Sequence, residues 1–95
     1  MVYQQSYTGR GTVASIAVSG WGPNSAELVV VLTIDGVETA FAIESGGGGT
    51  EPQVFAVMAT MLTSAFQHRT EVQVTVVERL PGQTPGISAI QIPPR

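Results

Sequence analysis

The dipeptide Asp35-Gly36 constrains this chain more than any other feature. It stands between two runs of strand-forming residues, Ala26–Ile34 and Val37–Ser45. Asp-Gly suits a two-residue type I′ turn. Both central residues of that turn need positive φ, and its twist matches that of the strands it joins. A two-residue turn leaves the register no freedom. Leu28 falls opposite Ile43, Val30 opposite Phe41, Leu32 opposite Thr39, and Ile34 opposite Val37. These eight residues share one side of the pleat, which is the expected core face.

The other side pairs Glu27 with Glu44, Val29 with Ala42, Val31 with Ala40, and Thr33 with Glu38. A hairpin wetted on that side should carry polar residues throughout, yet its middle is apolar. Covering by something outside the hairpin is expected.

The helix raises the same question. Gly46–Gly49 reads as a flexible connector, and Thr50 or Glu51 can cap a helix that tolerates Pro52 in its first turn. Val54, Phe55, Met58, Met61, Leu62, Ala65 and Phe66 recur at three- and four-residue spacing and form one apolar stripe. The other faces carry Ala56, Val57, Ala59, Thr60, Thr63 and Gln67. No charge occurs in the 16 residues from Pro52 to Gln67, although a solvated helix usually shows Glu and Lys there. At this length, with Thr60, Thr63 and Ser64 inside it, the stretch is too short to span a bilayer and reads as a helix covered by protein.

The rest of the chain is strand and loop. Val2–Thr8 and Thr12–Ser19 are expected as two strands separated by a bend at Gly9-Arg10-Gly11, with a loop from Gly20 to Ser25. Thr70–Glu78 alternates Val72, Val74 and Val76 with polar neighbours, as a half-buried strand does. Leu80–Gly86 is a second loop, and Ile87–Ile92 a last short strand. The order is strands, hairpin, helix, two strands, within a single domain spanning 1–95. The expected class is mainly β with one helix, an OB-fold-like antiparallel barrel of five to six strands.

Several local sequences, in this order, resemble the B subunits of bacterial AB5 toxins of the Shiga toxin type. They are the Gly11-x-Val13 strand opening, the hairpin turning on a glycine, and the helix segment Val57–Ala65. Thr70–Val76 follows directly, and then a Gly86-x-Ser88-x-x-x-Ile92 strand. The likeness runs roughly from Gly9 to Ile92. It implies an OB-fold and a ring of five subunits, with the helices around a central pore and neighbouring sheets joined at their edges. In such a ring Ala56, Ala59, Thr60 and Thr63 would face sister helices or the pore. Val29, Val31, Ala40 and Ala42 would be covered by neighbours. Two features depart from that family. The disulfide is missing because the chain has no Cys, and no aromatic residue lies between Glu44 and Pro52, where the family binds glycan. No glycan-binding residue carries over by position.

Composition narrows the function classes. Charged residues are 12% and the net charge is −3, with four Arg and no Lys. A phosphate-tracking surface needs the opposite balance, so nucleic acid is not an expected partner. Without Cys there is no thiolate chemistry or Cys-based zinc site, and one His offers little to a metal or a triad. No cofactor and no metal are expected. The first residues hold neither a basic region nor an apolar core of a signal peptide. They suit a cytoplasmic protein, or a secreted one whose leader has been removed.

The candidate functional residues each admit a plain alternative. Facing Glu27 and Glu44 could transfer protons or hold a cation; they could equally be strand-end carboxylates relieved by water or an Arg. His68-Arg69 could form an acid/base or anion-binding corner, or merely place cations at a helix C-terminus. Gly46–Gly49 before a helix could cradle an anion or serve only as a linker. Trp21 could stack on a sugar or a protein, or plug a seam, and Tyr3 and Tyr7 share one side of the first strand. Ligand-binding candidates are therefore Trp21 and Asn24 in the first loop, Gln83 in the second, and Glu27 with Glu44. The expected function is a non-enzymatic, ring-forming binding module for a glycan or another small polar ligand. A cytoplasmic adaptor ring that engages another protein, and an enzyme with its site at a subunit junction, are the alternatives.

Overall fold

The structure, a computed structural model, describes residues 6–22, 25–45, 51–78, 82 and 84–93. It contains β1 (Ser6–Gly22), β2 (Ser25–Ile34), β3 (Val37–Ser45), α1 (Pro52–His68), β4 (Val72–Val77) and β5 (Gly86–Gln91). The strands close into a barrel in the order β1-β2-β3-β5-β4. All pairings are antiparallel except β3 with β5, which meet in parallel at Ala42 and Gly86. This is an OB-fold-like five-stranded barrel with one helix, as the element order suggests.

The hairpin follows its turn. Asp35 and Gly36 have φ of 52° and 80°, the two positive values a type I′ turn requires. Every pair from Ala26↔Ser45 to Ile34↔Val37 lies in the expected register. Leu28, Val30, Leu32, Phe41 and Ile43 are buried, with Ile34 packed at the margin. Val37 is 63% exposed, because the turn carries the hairpin past the part of the barrel that has a core. Val72, Val74 and Val76 point inward from β4, and Met58, Leu62 and Ala65 of α1 complete the core with Val13 and Ile87.

The first strand differs from its sequence pattern. Gly9-Arg10-Gly11 does not break it, and residues 6–22 form one strand. Its first part pairs with β4, from Ser6↔Val77 to Gly11↔Val72, and its second part with β2, beginning at Thr12↔Thr33. The glycines serve a close approach rather than a bend. A Cβ on Gly11 would stand 2.2 Å from the Thr33 carbonyl oxygen. The expected loop at residues 20–25 is also shorter, since Gly20 still pairs with Ala26 and Gly22 with Ser25. Residues 2–5 of the expected first strand, Tyr3 among them, and the connector Gly46–Gly49 lie outside the described residues.

The helix keeps its period, but its buried stripe is shorter than the sequence suggests. Phe55, Met58, Ala59, Met61, Leu62 and Ala65 are buried or half-buried, whereas Val54 and Phe66 at the stripe's ends are exposed. Glu51 occupies the N-cap position without a side-chain hydrogen bond, and Pro52 follows it. The last turn closes when the Arg69 and Thr70 amides both donate to the Ala65 carbonyl.

Candidate functional site

Two surfaces stand out, the outward side of α1 and the outward sheet face of the hairpin. The outward side of α1 is built from Gln53, Ala56, Val57, Thr60, Thr63, Ser64 and Gln67, all exposed. The helical period puts them opposite Met58 and Leu62. The two threonines are less polar than their type suggests. Thr60 Oγ1 donates to the Ala56 carbonyl and Thr63 Oγ1 to that of Ala59, both at 2.8 Å. A threonine bonded back to its own helix satisfies its hydroxyl locally. A groove of about 320 Å³ runs along Ala59, Thr60, Thr63, Ser64 and Gln67. Beside it, Val57 is 58% exposed and Val54 47%.

The sheet face of the hairpin is covered in part by its own chain. Ala42 is only 3% exposed, because the segment entering β5 closes the barrel there and the Ala42 amide donates to the Pro85 carbonyl. Ala42 is thereby withdrawn from the set expected to meet a neighbour. Val29 and Val31 are half-buried and Ala40 is exposed, as are Ser15 and Ala17 beside them on β1.

Glu27 and Glu44 face each other across β2 and β3, both half-buried. Among the described residues no three His, Asp or Glu side chains converge on a position that could hold a metal ion. His68 lies elsewhere. Its Nδ1 is 2.9 Å from the Ser64 carbonyl oxygen, which can only accept, so Nδ1 carries the proton. The helix C-terminus abuts β1 at Thr12 and Val13, whereas Glu27 pairs with Ser19. Ser19 lies six residue steps beyond Val13 along β1, about 20 Å of rise. One chain therefore does not unite the carboxylate pair with His68 in a cleft short enough for proton transfer.

The loop candidates are only partly described. Asn24 and Gln83 lie outside the described residues, and of Trp21 the backbone alone is described. It sits in β1 at a register shift between Gly20 and Gly22, a bulge that the loop-like composition concealed. The feature that sequence reasoning missed is the cleft where α1 ends against β1. Thr12 and Val13 are far from Phe66, Gln67 and Arg69 in sequence, and no local pattern links them. No helix among the described residues is long and apolar enough to cross a membrane. In comparisons with known proteins, no family model and no curated protein matches the chain.

Proposed function

We infer that this chain is a ring-forming binding module, non-enzymatic, most simply a pentamer that presents a glycan or another small polar ligand site. The observation that carries this reading is the outward side of α1. It is exposed in a single chain, has no charge from Pro52 to Gln67, and turns the Thr60 and Thr63 hydroxyls onto its own carbonyls. A chain of net charge −3 repels its copies wherever its carboxylates lie. Sister helices can meet on this face without that Coulomb cost, which is why a second copy is the chosen occupant. Exposed Ala40, with half-buried Val29 and Val31, offers a second contact for a neighbour. The resemblance to the AB5 toxin B subunits supplies the ring geometry for this reading.

The test has two arms. Solution mass measures the ring, and a single-subunit mass at micromolar concentration rejects it. A glycan array with the intact protein, and with Trp21→Ala as control, measures the ligand. Silence toward every sugar rejects the glycan reading and leaves the ring to be judged by its mass.

A further inference from the structure

The cleft between the end of α1 and β1 is a candidate small-molecule site formed entirely by described residues. It holds about 450 Å³ and is lined by Thr12, Val13, Phe66, Gln67 and Arg69. That lies in the lower part of the range of ligand pockets, roughly 300–1,000 Å³. Its chemistry is mixed in a specific way. Val13 is buried and forms an apolar floor. Phe66 is 46% exposed, although aromatic side chains are normally withdrawn from water. Thr12, Gln67 and Arg69 supply the polar residues of its lining.

The backbone at Arg69 is the second, independent sign. Arg69 has φ 52° and ψ 38°, the left-handed position that ends many helices. Glycine fills that position at no steric penalty, whereas any side chain there is strained. An arginine held in a place suited to glycine puts its charge beside the cleft at the expense of backbone comfort. Sparsely populated backbone conformations cluster at functional sites, and here a cavity adjoins one. Arg69 makes no ion pair among the described residues, while Arg10 is engaged by Glu71 at 3.3 Å.

We propose that this cleft binds a small monocarboxylate with a flat apolar body. The guanidinium takes the carboxylate in a forked, charge-assisted contact, and the body lies on Phe66 over Val13. One cation, the negative end of a helix and a net charge of −3 together disfavour phosphates and other multiply charged anions. The site is contained in one chain. It extends the ligand-binding half of the function proposed above and does not depend on the ring.

The probe is 3-phenylpropionate, titrated into the intact protein while backbone amide signals are followed by NMR. Binding at about 1 mM or tighter is expected for a half-open cleft. The shifted amides should be confined to Thr12, Val13 and the stretch from Phe66 to Arg69. The neutral 3-phenylpropionamide should bind at least about tenfold more weakly, because it lacks the charge that Arg69 recognises. Arg69→Gly should abolish the response while leaving the thermal midpoint unchanged or raised, since it relieves the left-handed strain. Arg69→Lys should retain part of the affinity. Absence of shifts, equal binding of acid and amide, or full binding by Arg69→Gly would each overturn the assignment. None of these outcomes alters the solution mass, so failure of this site and failure of the ring remain distinguishable.

Discussion

Gly11 offers the sharpest test of how the barrel is built. A methyl group there would stand 2.2 Å from the Thr33 carbonyl oxygen and 2.9 Å from the carbonyl carbon. An ordinary carbon–oxygen approach is about 3.3–3.6 Å, so β1 and β2 must part locally by about 1 Å. A ladder hydrogen bond stretched that far, from about 2.9 to about 3.9 Å, is lost. One or two such bonds at about 1 kcal/mol each, together with loosened packing of buried Val13 and Leu32, give a cost of roughly 2–4 kcal/mol for Gly11→Ala. The reduced freedom of the unfolded chain returns only about 0.5 kcal/mol of this. Gly9→Ala is the internal control. Its methyl would meet Ile34 Cδ1 at 3.0 Å, the far end of a side chain that can move, so the change should be about 0–1 kcal/mol. Urea and thermal unfolding at one fixed protein concentration would measure both. In a domain of this size the Gly11 variant should melt on the order of 10–20 °C lower. A Gly11→Ala protein as stable as the parent, or less perturbed than Gly9→Ala, would refute the close crossing of β1 over β2.

Other substitutions address the core, the surface and the assembly. Leu62 is fully buried, so Leu62→Ala should cost about 2–5 kcal/mol in the same unfolding assay, whatever the oligomeric state. Arg10→Ala removes an ion pair whose side chains are 53% and 50% exposed, so stability should change by less than about 0.5 kcal/mol. Thr60→Glu puts a carboxylate on an exposed helical position and should leave the circular dichroism of a single chain intact. In a ring it crowds like charges around one axis, so the solution mass should fall. An unchanged mass would show that Thr60 points away from the subunit contact.

The legibility of this fold depended on whether a local residue had one structural meaning or two. Asp35-Gly36 has one, and the hairpin register followed from it pair by pair. Val72, Val74 and Val76 alternate without ambiguity, and β4 followed. Gly9 and Gly11 have two meanings. Glycine marks a turn or permits a close approach, and only the position of β2 decides between them. The helical period was legible, but the length of the buried stripe was not. It depends on how far β1, β3 and β5 reach along α1, and that reach leaves Val54 and Phe66 outside. Ala42 shows the same limit. Its small apolar side chain could be covered by a neighbour or by its own chain, and the approach of Pro85 to β3 makes it the latter. Of the candidate sites, the Glu27–Glu44 pair was legible because it lies within the hairpin. The cleft at Arg69 was not, because three-dimensional closure alone brings Thr12 beside Phe66.

The proposed ring rests on an uncharged helical face that a solitary chain leaves in water. Multi-angle light scattering of the purified protein at micromolar concentration measures this most directly. A species of about five times the 9.9 kDa subunit is the expected result, and one that shrinks with Thr60→Glu. A stable 9.9 kDa particle would contradict it.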